Sequence, residues 1–212
     1  MKVGIVGFGD LGHYMKTVLQ EYEGVHEEDF AYFDDVYRDA GGENAFAFQD
    51  HADDAFKDLS FYVCLGYKHL RVKNDLIGRL VDLGRAVPPF VSESAWVHSS
   101  VELGPGAFIY PGCDIDRGTK IGRGSWIANG DVIAHDCEVG ACCWFGASVT
   151  LCGKVSVGGG TFIGSGTTVS NDVHVGSDVI VGLGTAVTRD VEDGSSVIGN
   201  PMRTLDRPIE LV

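Results

Sequence analysis

Basic residues are scarce in this chain. Lysine and arginine number 16 against 30 aspartates and glutamates in 212 residues, a formal net charge of −14 with histidine neutral. So few cations suit neither nucleic acid nor an anionic membrane surface, because both bind through basic patches. A small phosphate-bearing ligand stays compatible, since a few backbone amides and local cations hold one. Long apolar runs are missing as well. Nothing approaches the roughly 20 residues of a membrane span, and Met1–Val6 leads straight into a glycine-rich turn without the basic and apolar regions of a signal peptide. Cysteines at cross-linking or metal-binding spacing are also lacking. The six, at 64, 113, 137, 142, 143 and 152, fit neither a disulfide framework nor a CxxC metal site. A reducing, cytoplasmic setting is the expectation.

What is present divides into two grammars. Residues 1–88 read as α/β. Lys2–Phe8 alternates and is β-branched, Gly7-Phe8-Gly9-Asp10-Leu11-Gly12 breaks it, and His13–Tyr22 has helical character. Phe30–Phe33 predicts a second strand ending in Asp34-Asp35, and Phe61–Leu65 a third ending at Gly66. Val72–Leu83 predicts a helix, with Leu76, Leu80 and Leu83 on one face. Strands alternating with helices imply a small parallel, Rossmann-like sheet.

From Val91 a period of six takes over. The positions Val91, Val97, Leu103, Ile109 and so on to Val187 are apolar at all seventeen steps, whereas Arg85 and Asp193 lie one step beyond each end. The fourth residue after each is small or β-branched, from Ala95 to Val191, with Asp131 the exception. Glycine follows the apolar residue at 104, 122, 140, 146, 158, 164, 176 and 182. Period-two alternation cannot sustain this. A triangular coil of three short strands does, with two residues per hexad facing a narrow interior and glycine relieving the corners. Cys113, Cys137 and Cys143 occupy inward slots, so packing accounts for them better than redox or metal chemistry.

The pattern resembles the hexapeptide-repeat proteins, whose fold is a left-handed parallel β-helix; seventeen hexads make between five and six coils. The expected organisation is a Rossmann-like sugar-nucleotide-binding domain over 1–88, a β-helix acyltransferase domain over 91–198 and a tail over 199–212. Gly7–Gly12, Phe33-Asp34-Asp35, Ile133–Gly140, Leu151-Cys152-Gly153-Lys154-Val155 and Gly199-Asn200-Pro201 extend the likeness. On these stretches the whole chain resembles the sugar O-acyltransferase/sialic acid O-acetyltransferase family, which includes bacterial N-acetyltransferases of nucleotide-linked 4-amino sugars in surface glycan synthesis. The resemblance implies a homotrimer with sites at subunit interfaces, acetyl-CoA as acyl donor and no metal. It implies His135 as general base, assisted by Asp136. One coil of eighteen residues places Gly153 beside His135, and the resemblance implies that its amide donates to the thioester oxygen. An ordinary corner glycine explains Gly153 equally well. Coenzyme A would lie near Trp144, Gly153, Ser165 and Leu183, with Pro201 and Arg203 toward its far end.

By the same resemblance Gly7, Gly9, Asp10, Leu11, Asp34, Asp35, Gly66 and Lys68 hold the nucleotide sugar. The glycine loop with Asp34-Asp35 also fits the spacing of a nicotinamide-dinucleotide fingerprint, but the repeat leaves no room for a dehydrogenase's catalytic domain. Some positions depart from the family. Trp144 stands where a second histidine is common, Ala128 where asparagine is, and His13 is displaced from the usual position near Leu11. The alternatives are therefore O-acetylation of a sugar such as sialic acid, and a non-catalytic sugar-nucleotide-binding relative. A zinc hydrolyase on the same β-helix needs converging histidines, and His98, His135 and His174 are too dispersed for it.

Overall fold

The computed structural model describes residues 2–207 and 209, so 208 and 210–212 of the expected tail lie outside the described residues. The chain separates into two compact units, Met1–Pro88 and Pro89–Val212. In the first, β1 (Val3–Val6), β2 (Phe30–Phe33), β3 (Ala45–Phe46) and β4 (Ser60–Val63) form a parallel sheet in the order β3-β2-β1-β4. Helix α1 (Asp10–Tyr22) links β1 to β2, the short α2 (Asp35–Asp39) follows β2, and α3 (Leu70–Asp82) follows β4. Val6, Phe33, Phe61, Val63, Ile77 and Leu80 are fully buried in the sheet's core.

Differences from the sequence reading are local. Helix α1 starts three residues earlier than the apolar periodicity indicates, because Gly9 serves as its N-cap and Gly12 is its third residue. A Cβ on Gly12 would meet the Gly7 carbonyl oxygen at 2.5 Å, so only glycine lets the helix begin this close to the loop. Leu83 lies outside the α3 core face: the helix ends at Asp82, Gly84 turns the chain at φ +69°, and Leu83 is left exposed. Strand β3 is two residues long, too short to carry a periodic signal.

The second unit is a left-handed parallel β-helix of about six turns. Each of the seventeen periodic residues is the second of a two-residue strand, from β5 (Phe90–Val91) to β21 (Ala186–Val187). Strands pair with those eighteen residues away, as Val132↔Thr150 and Ile133↔Leu151 show. Three faces result. One runs through Ile109, Ile127, Phe145 and Ile163, a second through Ile115, Ile133 and Leu151, a third through Ile121, Val139 and Val157. From Ile109 onward every periodic residue is buried, each such side chain contributing about 1.5–3 kcal/mol.

The inward slots form a second ladder, made of hydrogen bonds. Thr119 Oγ1 donates to the Ala134 carbonyl at 3.0 Å and accepts from Cys137 N–H at 3.3 Å. Ser125 and Thr161 repeat this with Gly140 and Gly176 as acceptors. The thiols of Cys113, Cys137 and Cys143 donate to the carbonyls of Ala128, Cys152 and Gly158 in the same relation, fifteen residues on. Burial pushes the Cys113 thiol up to about 11 and that of Cys143 to about 12, which suppresses thiolate chemistry.

Asp131 fills one of these slots, fully buried. Its Oδ1 accepts from Val149 N–H at 2.8 Å, while Oδ2 has no partner. Burial raises its carboxyl to about 8.

Candidate active site

The corner after β12 (Val132–Ile133) carries the first candidate. The chain turns there through Asp136 at φ +59°, in the left-handed region. The third residue after the periodic one takes this conformation at every corner from Gly106 to Gly184, as glycine at eight of the fourteen and as Asp136, Cys142, Ser148, Lys154, Asp172 and Asp178 at the rest. Aspartate tolerates it better than most residues. The turn brings the carboxylate back onto its neighbour: His135 Nδ1 and Asp136 Oδ2 are 2.9 Å apart, with side chains 39% and 42% exposed.

The hydrogen bond from His135 is the largest influence holding the Asp136 carboxyl below its ordinary range; Arg117, at 3.7 Å, and Lys154 act in the same direction. An ionised carboxylate only accepts, so Nδ1 is the donor, and in the neutral imidazole this leaves the lone pair on Nε2. That lone pair faces Gly153. A Cβ there would lie 2.8 Å from His135 Nε2, so any side chain at this position would push the ring out of the place it holds. The Gly153 N–H, expected to be open toward a donor carbonyl, instead donates to Asn171 Oδ1 at 2.9 Å. Ser99, Arg117, His135, Gly153, Asn171 and Arg189 occupy equivalent positions on successive coils, eighteen residues apart.

Other expected donor residues lie elsewhere on the solenoid. Ser165 and Leu183 are exposed neighbours on adjacent coils, at the corner bordering the opposite edge of the His135 face. Trp144 is half a coil from His135, stacked on Trp126 with ring centroids 4.7 Å apart and planes at 2°. A single chain therefore does not bring Trp144, Ser165 or Leu183 to His135. Pro201 and Arg203 are exposed near the C-terminal end, Arg203 in β23 (Arg203–Thr204), which pairs antiparallel with β22 (Ser196–Ile198). A shallow groove follows the third face, lined by Glu102, Lys120, Glu138, Ser156 and His174, and does not include His135.

The first unit gathers the expected acceptor residues. Gly7, Gly9, Asp10 and Leu11 follow β1, Asp34 and Asp35 follow β2, and Gly66 and Lys68 follow β4. These are three adjacent parallel strands, so all eight stand at the carboxyl edge of the sheet, where its strand order reverses beside β1. Their roles differ. Asp34 Oδ2 accepts from Phe8 N–H at 2.8 Å and Oδ1 caps α2 through Tyr37 N–H at 3.0 Å, so this carboxylate is committed to holding the loop. Asp35 accepts from Phe48 N–H and pairs with Arg38. Gly9 would meet nothing within 4 Å if it bore a Cβ, and no side chain caps the helix it opens. Lys68 is exposed, in the turn Tyr67–His69. His13 packs on Phe8, ring centroids 4.1 Å apart.

A glycine loop feeding a small parallel sheet, and a hexapeptide β-helix with a histidine–carboxylate pair on a corner, define an acyltransferase architecture. No family model and no curated protein matches the chain. Among solved structures it is similar to PerB from Caulobacter crescentus in complex with CoA and GDP-perosamine, at 31% identity over 97% of each chain and a TM-score of 0.84. It is also similar to a GDP-perosamine N-acetyltransferase from the same organism with one histidine replaced by alanine, at 30% identity over 98% of each chain and a TM-score of 0.84. The acetyltransferase domain of PglB from Neisseria gonorrhoeae shares the fold at 23% identity, over 96% of this chain and 98% of that one, with a TM-score of 0.84. The chain belongs to the hexapeptide-repeat sugar acetyltransferases.

Among the described residues no helix is long and apolar enough to cross a membrane, and no group of three or more histidine, cysteine or acidic side chains is arranged to hold a metal.

Proposed function

We propose that the protein transfers the acetyl group of acetyl-CoA to the amine of a nucleotide-linked 4-amino-deoxy sugar, with His135 as general base. The observation that carries this is the His135–Asp136 pair with Nε2 turned onto Gly153. The similar Caulobacter structures, which hold CoA and GDP-perosamine, support the substrate class. The sugar amine attacks the thioester carbonyl while Nε2 takes its proton, and Asp136 stabilises the imidazolium. Charge on the carbonyl oxygen is met by the Gly153 amide. Collapse expels the thiolate, which recovers the proton from His135, giving N-acetyl sugar and CoA. The edge of the sheet at Gly7–Leu11, Gly66 and Lys68 holds the nucleotide, its phosphates over the uncapped start of α1, while Asp34 and Asp35 shape the loop around it. Trp144, Ser165, Leu183, Pro201 and Arg203 complete the donor groove in a homotrimer, where one subunit's corner meets another's; their separation from His135 within one chain supports this arrangement.

Thiol release from acetyl-CoA across a panel of nucleotide amino sugars tests the reading. Turnover is expected with amino sugars and a fall of about 10²–10⁴-fold in kcat for His135→Ala, with folding unchanged. Turnover only with hydroxyl acceptors would shift the reaction to O-acetylation, and unimpaired turnover in His135→Ala would remove the base assignment.

A further inference from the structure

One hydrogen bond at this centre has no part in the chemistry above. The Gly153 N–H that would meet the thioester carbonyl is satisfied at 2.9 Å by the side-chain carbonyl of Asn171, from the next coil. His135 comes onto Gly153 from the coil on the other side. Asn171 Oδ1 and a thioester oxygen are both neutral acceptors on planar carbonyl carbons and make the same demand on one N–H, so they compete for it. Asn171 is exposed, while the backbone around it is held independently by Ser170 N–H to the Val187 carbonyl and Asp172 N–H to the Gly153 carbonyl. Its side chain is thus free to rotate without opening the coil.

We infer that Asn171 is a positioning residue that acts through the Gly153 amide: an internal stand-in for the thioester carbonyl, displaced when the acyl donor seats and returned when the acetyl group has left. The inference rests on the acetyl transfer proposed above. Acetyl-CoA gains the amide bond only by breaking the Asn171 bond, whereas CoA, which has no thioester carbonyl, leaves that bond in place. The device narrows the difference in affinity between donor and spent cofactor, and gives the amide a partner at each stage of the cycle.

The test is calorimetric binding of acetyl-CoA and of CoA to the full chain, as wild type, Asn171→Ala and Asn171→Asp. Asn171→Ala is expected to bind acetyl-CoA about two- to tenfold tighter, with CoA affinity unchanged. Asn171→Asp, whose charged oxygen grips the amide harder, should lose acetyl-CoA affinity relative to CoA. The Gly153 amide resonance should move on Asn171→Ala substitution, and in wild type on adding acetyl-CoA but not CoA. An acetyl-CoA to CoA affinity ratio unaltered or reduced in a folded Asn171→Ala protein overturns the inference. Failure of the wild type to bind either ligand would instead overturn the acetyltransferase reading itself.

Discussion

Asp131 shows how strictly the interior of the solenoid tests a single side chain. A slot filled by Thr119, Ser125 or Thr161 needs one donor and one acceptor, and an ionised carboxylate supplies only the acceptor. Protonated, Asp131 would meet both needs, its Oδ2–H directed by the pattern at the Gly146 carbonyl fifteen residues on. An unfolded carboxyl titrates near 3.9, and burial raises this one to about 8. The folded state therefore keeps a proton that the unfolded state releases. The contribution to stability is intact below about pH 4, declines as the pH rises, and is gone above about pH 8. Asp131→Thr should match the parent near pH 4 and exceed it by several kcal/mol, on the order of 5, at pH 9, measured by urea unfolding across that range. A pH-independent difference would show that the carboxyl is not what titrates. The sequence marked Asp131 as anomalous because its slot is periodic. Asn171 carried no such mark, since outward corner positions tolerate any polar residue and its value comes from one contact eighteen residues away.

Corners are the elements where this fold spends its conformational freedom. Left-handed φ recurs at fourteen consecutive corners, and six carry side chains there. Asp136 has a reason to, since the conformation returns its carboxylate to His135. Exposed Lys154, at φ +61°, does not show one of that kind. Lys154→Gly should raise stability by up to about 1 kcal/mol, read as a higher denaturation midpoint with an unchanged slope. The strands were legible from sequence because each is specified by its own hexad, without distant information. In the N-terminal unit the strand and helix types were legible, but not that Asp34 ties Phe8 and Tyr37: an acidic pair after a strand looks the same with or without such bonds. The end of the six-residue register at Asp193 was legible, but not the change of pairing that comes with it. Val191 keeps the small-residue pattern, yet it bridges to Val175 at a spacing of sixteen, and Val197 pairs with Val181 at the same spacing.

For the molecule as a whole, a net charge of −14 stores self-repulsion that ions relieve. Raising sodium chloride from about 0.05 M to about 0.5 M is expected to raise the thermal midpoint by several degrees, and a flat or falling midpoint would show that the acidic groups are already locally compensated. The spacing of sixteen has a further effect. A parallel ladder that stopped in step would present bare amides and carbonyls to any chain of matching pitch, a second copy included. Here the last turn of the face that runs through Phe145 and Ile163 falls two residues short, and an antiparallel strand lies along its outer edge. What an arriving strand would meet on this face is out of phase and runs the wrong way, so the way the face ends also guards it against edge-to-edge addition.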